Sequence, residues 1–175
     1  PPAVGQVPFS TDGSTYTATA KIVAATAITV SGTTVDFTSI PTWVKRVTVI
    51  LSGVSTNGTS DVQLQIGAGS IVTSGYASGT GSADGGGYSG TASTTGYTLA
   101  SRNAGAATIR HGSVVLTNVT GNTWVGTIAF GTSGTPCGTV GGGTLALSGA
   151  LDRVRLTTVS GVDTFDAGIV NILYE

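Results

Sequence analysis

Residues 43–52 alternate strictly: Lys45, Val47, Val49 and Leu51 share one side, and Arg46, Thr48 and Ile50 share the other. A period of two marks a half-buried strand, because successive side chains of an extended chain leave opposite faces of the pleat. The pattern recurs along the chain. In 61–67, Val62, Leu64 and Ile66 are expected inward and Gln63 and Gln65 outward. In 151–159, Val154 and Leu156 oppose Arg153 and Arg155. In 123–131, Trp124, Gly126, Ile128 and Phe130 fall on one face and place two large aromatics in the core. Turn chemistry separates the runs: Ser31-Gly32, Asn57-Gly58, and Gly121 within 118–122. Further strands are expected at 15–30, 33–38, 97–101, 107–117, 144–147 and 167–174.

Helix has little to build on. Glu occurs once, at Glu175, and Met never, although both are good helix formers. About nine to twelve short strands at hairpin spacing, with no helical period, predict an all-β, antiparallel β-sandwich that is jelly-roll-like. The 175 residues suit one such domain over 15–175. Residues 1–14 carry Pro1, Pro2, Pro8 and Gly13 and read as an extended N-terminal arm. The opening Pro1-Pro2, without Met, is what a processed chain or a piece of a longer one would show. Two Gly-rich stretches read as loops: 75–96, the longest run without a period, and 132–143, which ends in Gly141-Gly142-Gly143.

Charge narrows the function. Only 9% of residues are charged and the net charge is −1. Seven scattered Lys and Arg make no basic stripe for phosphates and no polybasic patch for a lipid surface, so no nucleic-acid partner and no membrane insertion are expected. The 39% hydrophobic content argues equally against disorder. The single cysteine, Cys137, can form neither an intrachain disulfide nor a cysteine metal site.

Catalytic constellations are equally sparse. His111, the one histidine, sits mid-strand, and no G-x-S-x-G elbow offers a serine nucleophile; it reads as a polar surface or interface residue. Asp163 and Asp166 precede the last strand and read as turn acids that hold local N–H groups. A polysaccharide hydrolase needs two facing carboxyls, and a calcium site needs a denser oxygen set, so neither is favoured. Gly85-Gly86-Gly87 lacks the G-K-[ST] of a phosphate cradle. The chain is therefore expected to be no enzyme, with no catalytic residue, metal or cofactor. The sequons at Asn57 and Asn118 are read as chance matches.

What remains is contact. Tyr76, Tyr88 and Tyr97 lie in or beside the long Gly-rich stretch and are candidates for receptor contact, since Tyr offers an aromatic face and a hydroxyl. The last strand is apolar on both sides, Ile169 and Leu173 against Val170 and Ile172. It should be doubly buried or lie in a subunit contact, which makes Val170, Ile172 and Tyr174 candidate oligomer-interface residues.

Two stretches are distinctive as text: FTSIPTWVKRVTVILSGVSTNGTS at 37–60 and LDRVRLTTVSGVDTFDAGIVNILYE at 151–175. On these the chain resembles a family of small virion structural proteins of tailed bacteriophages and prophages. The resemblance implies a β-rich, homo-oligomeric domain of a virion appendage or decoration, assembled in the bacterial host cytoplasm beside other virion proteins. Fibres of such phages are usually threefold, so a trimer is expected. The leading expectation is a tail-fibre or adsorption-apparatus domain meeting a host-surface glycan or protein. The alternative is a capsid decoration or head-fibre protein that stabilises the phage head.

Overall fold

A computed structural model of the chain describes residues 6–10, 16–20, 22–102, 104–106 and 108–175, the first two of these segments by their backbone alone. The described residues form an antiparallel β-sandwich with no helix. The nine-stranded sheet runs β10 (Gly87–Ser93), β9 (Ala77–Asp84), β14 (Cys137–Ala146), β13 (Thr123–Ser133), β12 (Ile109–Thr120), β6 (Arg46–Thr56), β16 (Phe165–Tyr174) and β3 (Val23–Ala24), with β4 (Ile28–Thr29) also on β16. The five-stranded sheet runs β11 (Tyr97–Leu99), β7 (Val62–Ala68), β15 (Arg153–Thr158) and β5 (Thr34–Thr38), with β8 (Ser70–Ile71) on β7. The connections from β5 to β6, β6 to β7, β14 to β15 and β15 to β16 each cross between sheets.

The alternating runs fill the space between the layers. Val47, Val49 and Leu51 of β6, Val114 and Leu116 of β12, and Trp124, Ile128 and Phe130 of β13 face Val62, Leu64, Ile66, Val154, Leu156 and Phe37 of the smaller sheet. At roughly 1.5–3 kcal/mol for each large apolar side chain fully buried, this single core is the main source of stability.

Several expectations change. Within the expected arm, residues 6–10 are a strand, β1 (Gln6–Ser10), paired with β2 (Tyr16–Ala20) in a two-stranded sheet of their own. The rest of the expected arm, 1–5 and 11–14, lies outside the described residues. The 75–96 stretch is chiefly the hairpin β9–β10, closed at its tip by the Asp84 carboxylate accepting the Gly86 N–H at 2.8 Å. Residues 141–143 are mid-strand in β14, opposite Ile128, Thr127 and Gly126. A Cβ at Gly141 would lie 2.5 Å from the Gly79 carbonyl oxygen, and one at Gly143 would lie 2.5 Å from Ser78 Cβ. Glycine there is what lets β9 approach β14.

The nine-stranded sheet also bends. Its ladder shifts register at Arg110/Gly112 on β12, and again between Phe165 and Ile169 on β16. Gly53, Gly112 and Gly168 meet at this level with positive φ of 69°, 150° and 109°. Such bulges kink a strand and re-aim the residues beyond them. Past the bend, Arg110 pairs with Val54 in register and points fully into the interior.

Candidate functional site

The outer face of the five-stranded sheet is polar and charged. Across it, Asp36, Arg155 and Gln65 form one row, and Thr34, Thr157 and Gln63 the next. Arg155 Nε and Nη2 each donate to the Asp36 carboxylate at 2.7 Å, a bidentate pair that raises the Arg155 pKa above its ordinary value. Arg153 grips Asp152 in the same way, and that bond holds the Asp152 carboxyl below the usual range. A shallow groove of about 350 Å³ crosses this face between Thr34, Gln65, Thr95 and Arg155. Gln63 and Gln65 do leave the sheet on this side, but both are buried, against expectation. Residues beside Thr95 fold over them: Gln65 Nε2 donates to the Thr95 carbonyl at 2.9 Å, and Thr95 Oγ1 donates to Gln63 Oε1 at 3.0 Å.

The outer face of the nine-stranded sheet is its opposite. One row reads Asn171, Ile50, Ser113, Ala129, Val140, Gly81 and Gly90; the next reads Leu173, Thr48, Val115, Thr127, Gly142, Gly79 and Ala92. Neither row holds a charge. Arg46 bounds the face at one end, paired to Glu175 at 3.1 Å, and His111 lies toward the other. Asp166 sits past the β16 bulge, where it accepts the Ser55 hydroxyl.

Of the three tyrosines expected to meet a receptor, only Tyr88 is on the surface, 73% exposed. Its ring lies along the nine-stranded face over Gly81, where an added Cβ would come within 2.5 Å of Tyr88 Oη. Tyr76 and Tyr97 are in the core, edge to face at 5.2 Å between ring centres. The 76–97 segment carries them under the sheet, and the absent side chain at Gly126 makes room for the Tyr97 ring. Burial pushes the Tyr76 hydroxyl up to about 12 and drives that of Tyr97 upward too. Tyr76 Oη accepts the Ile66 N–H at 2.8 Å and donates to the Val72 carbonyl at 2.9 Å. Tyr76→Phe should therefore cost about 1–3 kcal/mol by leaving these groups unpaired, measured by urea denaturation.

The expected interface residues also move inward. Val170 and Ile172 face the core because β6 lies beside β16 and turns that side of the strand toward the opposite sheet; Tyr174 packs at the core's edge against Trp43, 6.0 Å away. The surface of β16 is carried instead by Ile169, Asn171 and Leu173.

His111 is held by two bonds. The Gly53 N–H donates to Nδ1 at 3.2 Å, which leaves Nε2 as the donor to Ser133 Oγ at 3.1 Å. A base for a serine nucleophile would need its lone pair on that second nitrogen, so this contact points the wrong way for catalysis. Asp163 accepts the Ser60 N–H at 2.8 Å, so it ties the turn before the last strand to the distant 57–60 turn instead of holding the local N–H groups that were expected. Among the described residues no group of three or more His, Cys, Asp or Glu is placed to hold a metal.

Sequence reasoning missed one further cluster. Arg110 is completely buried; among the described residues its Nε and Nη2 have no hydrogen-bond partner, and Nη1 reaches the Thr108 carbonyl at 3.4 Å. Burial lowers its pKa, and the charge of Asp61 works against that. Burial raises the pKa of Asp61, while the Ser101 N–H and the Arg110 charge oppose the rise. A lone Arg in an alternating run gives no sign of this inward direction. Compared with protein-family models, curated proteins and solved structures, the chain matches none.

Proposed function

We propose that the chain is a non-catalytic structural protein of a tailed-bacteriophage virion. It serves as a homotrimeric domain of the tail-fibre or adsorption apparatus. One sheet face joins neighbouring copies, and the other is turned outward to a host-surface glycan or protein. The observation that carries this reading is the segregation of charge between the two sheets. The five-stranded face holds Asp36, Arg153 and Arg155, while the nine-stranded face has uncharged central rows. A free-standing β-sandwich gains solubility from charges on both outer faces. A subunit charged on one side and uncharged on the other suits a position between a neighbour and solvent. The virion setting in this proposal comes from the resemblance read in the sequence at 37–60 and 151–175.

Gold-labelled antibodies against the chain test the reading on intact virions. Label at the distal tail is the expected result. Label over the head would assign a capsid decoration or head fibre instead, and unlabelled virions would overturn the proposal.

A further inference from the structure

We infer that the outer face of the nine-stranded sheet, with Tyr88 as its aromatic anchor, is the surface through which copies of this chain associate. The inference rests on the assembly reading above and names the surface that reading needs.

Size is the first argument. From β10 to β16 the face spans seven strands. At about 4.8 Å between strands and about seven residues of roughly 3.3 Å each, it offers on the order of 700 Å², close to the ~800 Å² that each partner contributes to a stable protein interface.

Chemistry is the second. Interface centres are depleted of charge, and here the central rows contain only apolar, small, hydroxyl and amide side chains. Val140, Val125, Ile50 and Ile169 are all exposed on this one side. Scattered surface aliphatics need no explanation, but a continuous uncharged face does. A neutral face also meets a copy of itself without like charges opposed, whereas a charged partner would find nothing here to pair with.

Shape is the third. Gly79, Gly81, Gly90 and Gly142 leave a low platform on which Tyr88 stands out at the β10 side. An exposed tyrosine beside bare backbone is the kind of anchor that carries binding energy at interfaces. These features commit the face to a second copy of the chain.

The test is the solution mass of the whole chain by light scattering at tens of micromolar. Wild type should be a trimer; a dimer would keep this face as the contact and overturn the threefold part of the reading above. Thr127→Glu/Val140→Glu, both at exposed positions, should run as a monomer with an unchanged circular dichroism spectrum. Tyr88→Ala should weaken association at least tenfold. Thr34→Glu/Thr38→Glu, on the opposite sheet, should leave the oligomer intact. A monomeric wild type would overturn the inference, including the case in which the face binds a different virion protein. An oligomer that survives Thr127→Glu/Val140→Glu would move the contact elsewhere, for instance to the free edge of β10, and would overturn it too. Neither result touches the gold-labelling outcome, so the virion reading can stand or fall separately.

Discussion

Gly112→Ala should destabilise the domain by more than about 3 kcal/mol, enough to leave much of a marginally stable protein unfolded. Two costs coincide. The residue sits at φ +150°, a conformation that side-chain-bearing residues rarely adopt. Its Cβ would also fall 2.5 Å from Phe130 Cα and against the Ala129 carbonyl oxygen, which are backbone atoms of β13 that cannot swing aside. Gly168→Ala should behave similarly, since its Cβ would lie 2.5 Å from the Gly53 carbonyl oxygen at φ +109°. Gly138→Ala is the control: nothing lies within 4 Å of its Cβ, so the change should stay within about 0.5 kcal/mol. Thermal or urea unfolding of the three variants decides the matter. A Gly112→Ala protein of near wild-type stability would mean that the bend shared by β12, β6 and β16 does not depend on these glycines.

That bend shows where sequence reading stops. Alternating aliphatics announced β6, β7, β13 and β15, because burying one face of a strand writes a period of two into the residues. The hairpin β9–β10 obeys the same geometry, but its inward residues are Thr80 and Ser82 and its outward ones mostly Gly and Ala, so no hydrophobic period marks it. Gly141, Gly142 and Gly143 looked like a loop because glycine's commonest use is in turns; here glycine answers crowding from a neighbouring strand, which only the tertiary structure reveals.

The candidate site was legible in part. Scarcity of charge was plain in the composition, but its segregation onto one sheet depends on which strands share a sheet, a long-range property. Two of the three tyrosines went inward, because an aromatic in a Gly-rich segment can anchor that segment as readily as decorate it. Val170 and Ile172 were singled out for an oligomer contact because both sides of their strand are apolar. What covers them is the chain's own second sheet.

Arg110 shows the same limit in energetic form, and carries the other large effect. Replacing both members of the pair, Arg110→Met/Asp61→Asn, should stabilise the domain by about 1–4 kcal/mol, because a buried charge without full hydrogen bonding costs more than a well-packed apolar side chain of similar length. The asparagine side-chain carbonyl can still accept the Ser101 N–H that Asp61 Oδ1 now accepts at 3.2 Å. The single change Arg110→Met should show a pH dependence that the double variant lacks. Asp61 is an acid whose folded pKa is raised above 3.8, mainly by burial, so the folded state holds its proton more tightly than the unfolded chain does. Stability is then greatest below the unfolded value and falls as pH rises through the folded one. Removing Arg110 takes away a charge that opposes this rise, so the fall should steepen and reach higher pH. The gain from Arg110→Met should therefore be full below the unfolded value of 3.8 and erode as pH rises through the folded one, while adding Asp61→Asn restores it at every pH. Urea midpoints of wild type and the two variants between about pH 3 and 8 test this. A double variant less stable than wild type throughout would show that the Arg110 guanidinium contributes more through its surroundings than its unpartnered nitrogens imply.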